Sequence, residues 1–341
     1  MKVQLGWKAG PEQYPPVELL KYAITAEIAG FDAIDVSDHF HPWSEQGQSS
    51  FTWSWLGAVA VKTERIILGT GLTCPFLRYH PAIIAQAAAT ITHFAQDRFY
   101  LGVGTGEALN EYSSTGCWPP YRTRKEMMIE SIKLIRKLWS GEKVSFEGKY
   151  FQTRKAKLYT RPKNEIPIYI SSLVPNSAST AGKYGDGLLT VGGDDLEKAK
   201  KILETFENFI HTEGKETGNI PKMIELGVAF TDNEEEVIKY RKRFWAGASI
   251  PAVYNQKIYT PEMTEKNGEV VGSEYLKKQM LISSDPEDHV EFALKYLDIG
   301  FTHLIFHYSG PDEEDFLKQY GREVLPLIRE NYEIPIQKNF I

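Results

Sequence analysis

The chain has 341 residues, 42% of them hydrophobic and 25% charged, an ordinary globular composition that excludes a mainly disordered protein. Its 39 basic and 45 acidic residues leave a net charge of −6 and a pI near 5.8, which argues against a nucleic-acid partner, since that needs a basic face. Two cysteines, Cys74 and Cys117, are too few for a disulfide framework or a four-thiolate metal site. No stretch reaches ~18 apolar residues and the N-terminus lacks a signal peptide's apolar core. A soluble, cytoplasmic protein with no membrane partner is expected.

The first element is a short β-branched and apolar run at 3–7. A helix follows: Pro15 and Pro16 stand at its start, Val17, Leu20, Ile24 and Ile28 mark one face, and Gly30 ends it. Further strand runs fall at 31–36, 66–70 and 98–103. Their starts lie about 30 residues apart, the length of a strand plus a crossover helix. A helix at 122–139 shows its face through Met128, Ile132, Ile135 and Leu138. The rhythm then breaks into a hairpin at 143–162 with a turn at Glu147-Gly148. Strands resume at 166–170, 187–191, 223–230 and 302–307, with a long insertion before the last. Eight strand–helix units predict a single α/β domain over 1–341, a (β/α)8 TIM barrel with insertions at about 141–163 and 245–283.

In such a barrel the active site lies at the C-terminal strand ends. Glu12 follows the first strand, and Asp38, His39, His41 and Trp43 follow the second. After the third come Gly71, Leu72, Thr73 and Cys74, and after the fourth Gly104, Thr105, Gly106 and Glu107. Ser171 and Ser172, Thr190, and His307 close the fifth, sixth and eighth. His39 beside Asp38 reads as a catalytic imidazole, and Trp43 as the wall of a pocket. The glycines at 104 and 106 free backbone N–H groups for close approach to a ligand. His39 and His41 have the His-x-His spacing of barrel metal sites, but they lie past the apolar strand and Pro42 follows, so no metal is expected. Glycines at 102, 104 and 106 fit a dinucleotide fingerprint poorly, in register and in place.

Three strings, VSDHFHPW, LRYHPAIIAQAAATI and LGVGTGEALNE, together resemble the bacterial-luciferase-like superfamily of flavin and deazaflavin barrels. More narrowly they resemble its coenzyme F420 branch, which contains F420-dependent glucose-6-phosphate dehydrogenases and F420-dependent secondary alcohol dehydrogenases. The likeness runs from Lys2 to about Pro326. It implies an oxidoreductase that moves a hydride from an alcohol or sugar to C5 of the deazaflavin. FMN is the less favoured coenzyme.

The resemblance also implies roles. His39 is the base on the substrate hydroxyl, Trp43 flanks the reacting centre, Glu107 donates a proton toward N1 of the ring, and Glu12, in KAGPEQ, is a further pocket carboxylate. Asp38 contacts the deazaflavin, and its place beside His39 leads to the expectation that it orients the imidazole or stabilises its protonated form. Gly71, Leu72 and Thr73 form a bulge that backs the ring, with a non-proline cis peptide at Gly71-Leu72. Thr105, Gly106, Ser171, Ser172, Leu173 and Val174 hold the coenzyme tail and phosphate, although Leu173 and Val174 stand where relatives have glycines. Thr190, Lys257 and Gln279 fall at substrate positions. Of three phosphate-binding cations in the sugar-phosphate enzymes only Lys257, in NQKIYTP, is matched; Gly193 and Gln279 occupy the other two positions. A small alcohol or a sugar without the full phosphate clamp is therefore expected. The alternatives are an F420-dependent methylenetetrahydromethanopterin reductase-like enzyme and a non-catalytic flavin- or F420-binding barrel. A homodimer through helices near the second and third strands is implied as well, with the apolar run FTWSWLGAVAV either in the core or at that interface.

Overall fold

A computed structural model describes residues 3–193, 195–212, 214, 218–254 and 256–332. Lys2, where the likeness begins, Asn255 of the NQKIYTP string and both ends of the 1–341 domain lie outside the described residues. Strands run β1 Gln4–Ala9, β2 Ala33–Val36, β3 Ile67–Thr70, β4 Phe99–Val103, β5 Val144–Glu147 and β6 Gln152–Ala156. They continue as β7 Ile168–Ser171, β8 Gly187–Val191, β9 Lys222–Phe230, β10 Met280–Ser283 and β11 His303–His307. The helices are α1 Pro16–Ile28, α2 Thr52–Lys62, α3 Pro81–Phe94, α4 Ala108–Thr115, α5 Tyr121–Trp139, α6 Pro175–Tyr184 and α7 Leu196–Thr212. After them come α8 Glu234–Trp245, α9 Pro261–Gly268, α10 Ser273–Lys278, α11 Pro286–Asp298, α12 Glu313–Glu323 and α13 Leu325–Asn331. None of these helices is long and apolar enough to cross a membrane.

Eight parallel strands close on themselves in the order β1, β2, β3, β4, β7, β8, β9, β11 and back to β1. This is the expected (β/α)8 barrel, and all eight expected strands supply it. Its interior is filled by Ala33, Tyr100, Tyr169, Leu189, Met223 and Ile305, one inward side chain from each of six strands. The Tyr100 and Tyr169 rings stack with centroids 4.6 Å apart. Gly69 makes that possible, since a Cβ there would lie 2.0 Å from the Tyr100 ring.

Three details depart from the expectation. The expected α1 stripe is split: Val17 and Ile28 are 71% and 78% exposed, Leu20 and Ile24 are half-buried with Leu20 against the core, and Leu19, Tyr22, Ala23 and Ala26 are buried. The packed face combines Leu19 and Tyr22 with the small Ala23 and Ala26, which lets α1 sit close to its neighbours and leaves Val17 and Ile28 outside. In the hairpin, Glu147 ends β5 instead of turning, and the Glu130 carboxylate caps the turn by accepting from the backbone N–H groups of Lys149, Tyr150 and Phe151. Finally, β10 is a strand inside the second insertion. The nine-residue β9 outruns β8, and its end, Gly227 to Phe230, pairs with β10.

Candidate active site

The site is built on a charged floor. In β1, Gly6 and Lys8 alternate with outward Leu5 and Trp7, and Lys8 Nζ lies 3.0 Å from Asp35 Oδ2 on β2 and 3.3 Å from Glu225 Oε2 on β9. It also donates to the Gly71 carbonyl. Burial opposes the ammonium charge, but Asp35 and Glu225 outweigh it and hold its pKa above the ordinary lysine range. Glu225 is largely but not fully enclosed, and Lys8 and His307 keep its carboxyl well below the usual range against the cost of desolvation. Glu225 Oε1 accepts from His307 Nδ1 at 2.9 Å, and Asp35 Oδ1 accepts from the Tyr100 hydroxyl at 2.6 Å. Gly71 is confined by this floor, because a Cβ there would lie 1.6 Å from Asp35 Oδ2. The Gly71-Leu72 peptide is cis, and Thr73 rejoins the sheet through a parallel bridge to Val103.

Above the floor, four expected residues meet. His39, in the loop after β2, turns Nδ1 toward Glu12 Oε1 at 3.2 Å and Nε2 toward Glu107 Oε2 at 3.8 Å. Its ring packs edge-on against the Trp43 indole, centroids 5.2 Å apart. Burial, with the nearby charges of Arg78 and Lys8, pushes the imidazole pKa down to about 3. Burial pushes the Glu12 carboxyl up to about 7. Glu107 rises to about 8, through burial first and then the neighbouring Glu12 and Glu111. At neutral pH these close approaches are therefore not ion pairs: the imidazole is neutral, and Glu107 holds its proton. Among the described residues, neither Glu12 oxygen nor His39 Nδ1 has a hydrogen-bond partner of good geometry. The arrangement presents a neutral base beside one group able to carry a proton and another poised to take up charge.

Asp38 does not turn to the imidazole as expected. Its carboxylate accepts from the Thr73 hydroxyl and, at 2.9 Å, from the Tyr79 hydroxyl, with the Arg78 guanidinium 3.6 Å away. Three side chains of the single loop between β3 and α3 compete for its two oxygens, so Glu12 stands in the orienting position instead. Arg78 in turn binds Glu111 at 3.0 Å. Thr73 is thus tied to the site, and Leu72 packs toward Gly104. Gly106 has φ +73, and a Cβ there would meet Glu111 and Cys74, while the Thr105 carbonyl accepts from Arg124 Nε at 3.2 Å. At the end of β7, Ser171 leads into Ser172, whose hydroxyl is spent on the Val174 carbonyl and Ser177. Leu173 and Val174 then lead into α6, whose first turn has no side-chain cap. His41 is turned away, its Nδ1 3.3 Å from the Tyr259 carbonyl.

The expected substrate residues do not converge. Gly193 and Gln279 line one cleft of about 220 Å³ with Lys278 and Tyr296. Lys257 is elsewhere, its ammonium 3.5 Å from the centre of the Tyr112 ring. Thr190 is fully buried on the strand face opposite Leu189, which fills the barrel, so alternation points it away from the interior. Lys8, Asp35, Arg78, Glu111 and Glu225 were not expected at the site. A lysine and an aspartate at inward positions of otherwise apolar strands were the available signals for the first two.

The closed barrel with a polar mouth at its C-terminal strand ends places the protein among TIM-barrel proteins. The luciferase-like monooxygenase family profile matches residues 3–303, and the chain belongs to that family. It is 39% identical over 332 residues to the F420-dependent glucose-6-phosphate dehydrogenase of Mycolicibacterium gilvum, covering 96% of this chain and 98% of that one. It is 36% identical over 332 residues to that of Microbacterium testaceum, covering 97% and 98%. A solved F420-dependent secondary alcohol dehydrogenase, in complex with an F420–acetone adduct, superposes with a TM-score of 0.91 at 34% identity, over 96% of this chain and 99% of that one. The coenzyme F420-dependent tetrahydromethanopterin reductase from Methanopyrus kandleri shares the fold, with a TM-score of 0.79 at 21% identity over 96% and 100% of the two chains.

Proposed function

We propose that the protein is a coenzyme F420-dependent dehydrogenase that oxidises the carbinol carbon of a secondary alcohol or a sugar. The observation that carries this reading is the neutral His39 imidazole held between Glu12 and Glu107 against Trp43. The names of relatives at 34–39% identity supply the coenzyme. The residues present fit it. Asp38 is fixed by Thr73 and Tyr79, the Gly71–Thr73 bulge lies beside it, and the uncapped start of α6 after Ser171–Val174 offers backbone N–H groups to a phosphate. Thr105 and Gly106 border the same mouth.

When bound, the deazaflavin supplies a carbon that accepts the hydride leaving the substrate. His39 takes the hydroxyl proton, since loss of that proton eases departure of the hydride. Glu12, 3.2 Å away, stabilises the imidazolium that forms. Glu107 keeps a proton at neutral pH and offers it toward the coenzyme ring. Trp43, itself buried, shields the imidazole from water.

The phosphate of a sugar phosphate finds less support: Gly193 and Gln279 carry no charge and Lys257 rests on Tyr112, which leaves, among the described residues, only Lys278 and Lys295 as cations in the Gly193–Gln279 cleft. Trp43, Tyr254 and Trp245 crowd the mouth, which suits a small substrate better than a pterin. A mere binding barrel needs no base between two carboxyl groups. A cytoplasmic location fits two unpaired thiols, buried Cys74 and exposed Cys117. A homodimer fits the outward apolar face of Val17 and Ile28 on α1, Val61 on α2 and Ile83 and Phe94 on α3, helices that pack side by side. The α2 run also serves the core through Trp53, Trp55, Leu56 and Val59. The test is to mix the protein with oxidised F420 and a panel of secondary alcohols, sugars and sugar phosphates. Loss of the oxidised absorption band with an alcohol or sugar is expected, and no loss with any member would overturn the reading.

A further inference from the structure

The barrel mouth holds a second polar cluster that the chemistry above leaves unused. Arg241 and Trp245 stand about one turn apart on α8. The Trp245 indole packs edge-on against the His307 imidazole, centroids 4.5 Å apart, and donates to Gln13 Oε1 at 2.8 Å. The Arg241 guanidinium reaches Ser309 Oγ, in the loop leaving His307, at 3.4 Å. Among the described residues, buried Arg241 Nε and His307 Nε2 have no hydrogen-bond partner. Buried polar atoms are almost always paired, so two orphans in one cluster call for an occupant.

Their chemistry defines it. His307 Nδ1 donates to the Glu225 carboxylate, and burial keeps the ring neutral, so Nε2 is a lone-pair acceptor. Arg241 Nε–H is a donor only. One donor and one acceptor together complement a hydroxyl. A phosphate or carboxylate would satisfy the arginine but give nothing to His307. Nor is there surplus positive charge for an anion, since the acids Asp35 and Glu225 match the bases Lys8 and Arg241 one for one. Tyr254 connects the two poles: its ring lies 6.3 Å from that of Trp43, and its hydroxyl feels Glu107, Glu225 and Arg241.

Building on the dehydrogenase reading, we propose that Arg241 and His307 determine specificity by holding a second substrate hydroxyl, which accepts from Arg241 Nε and donates to His307 Nε2. The substrate class is then a polyol or unphosphorylated sugar, with His39 acting on one hydroxyl and this pair on another.

The test compares D-glucose with propan-2-ol in the F420-loaded enzyme. In Arg241→Met the ratio of kcat/KM for glucose to that for propan-2-ol should fall ~10- to 100-fold, the loss of one charge-assisted hydrogen bond. Arg241→Lys keeps the charge facing Glu225 but loses the Nε–H, and it should lower the ratio in the same direction; it decides the matter if the methionine variant does not fold. A ratio within twofold of wild type in the folded variant would overturn the proposal and leave the dehydrogenase reading standing. If no alcohol or sugar reduces F420, that reading fails, and glucose binding is followed instead by tryptophan fluorescence, with Trp43 and Trp245 as reporters. Saturable quenching weakened in the Arg241 variants supports the hydroxyl site; absent or unaltered quenching overturns it.

Discussion

Glu12→Gln isolates the electrostatic half of the proposed chemistry. The Glu12 carboxylate faces His39 Nδ1 at 3.2 Å, with both side chains nearly closed to solvent. At that separation and an effective dielectric of ~20, the charge stabilises an imidazolium by ~5 kcal/mol, a ceiling of between three and four powers of ten in rate. The glutamine amide can still accept a hydrogen bond and recovers part of this, so kcat should fall ~100- to 1,000-fold. The pH profile carries a sharper signature. Glu12 must be ionised to help, and its carboxyl sits at about 7, so activity should rise with pH through that value. Glu107 must be protonated, at about 8, so activity should fall above it. In Glu12→Gln the acid limb disappears while the alkaline limb remains. Steady-state F420 reduction from pH 5 to 10, with the coenzyme Kd measured alongside, reads both quantities. A loss under threefold with the acid limb intact would refute the reasoning.

Glu107→Gln should do the converse, removing the alkaline limb near pH 8 and lowering kcat ~100-fold or more in the same assay. Stability of the unliganded protein should peak in mildly acidic buffer. Glu12, Glu107, Glu111 and Glu313 are raised to about 7, 8, 7 and 8, so the stability they confer is full below the unfolded value near 4.5 and is lost as pH rises through 7–8. His39 and His303, lowered to about 3 and 4, confer stability above the unfolded value of about 6.5 that is lost as pH falls through their folded values. Denaturant midpoints should thus be higher at pH 5.5 than at pH 8.5; the reverse order would contradict the burial of these acids. Gly71→Ala drives a Cβ into the Asp35 carboxylate and should destabilise the fold by ~3 kcal/mol or more, whereas Gly193→Ala, with open space around it, should leave the melting temperature near wild type. Val61→Glu with Ile83→Glu should convert a dimer to monomers in light scattering, and an unchanged mass would remove the α1–α3 face as the interface.

The barrel was legible because its strands are buried on both faces and so appear as short apolar runs, each followed by polar and glycine residues. That same rhythm brought Glu12, His39, Trp43 and Glu107 to one mouth from three separate loops. The α1 face was off by part of a turn because the alanines at 23 and 26, read as neutral, lie with Leu19 and Tyr22 on the packed side. β10 escaped notice because four residues in an insertion carry too little periodicity, and only the overhang of β9 gives them a partner. The floor of Lys8, Asp35 and Glu225 could not be assembled from the sequence: Lys8 and Asp35 face each other across neighbouring strands, but Glu225 lies far along the chain on β9 and reaches Lys8 only when the barrel closes. Asp38 beside His39 suggested a pair; the one loop after β3, carrying Thr73, Arg78 and Tyr79, claims the carboxylate instead.

The central claim is that a neutral imidazole at position 39 removes the substrate's hydroxyl proton beside the bound coenzyme. It is tested most directly by reducing F420 with saturating alcohol in His39→Ala, with coenzyme affinity measured on the same preparation. The account predicts a Kd within a few-fold of wild type and a reduction rate ~100- to 10,000-fold lower. Reduction at close to the wild-type rate, with the coenzyme bound, would contradict it.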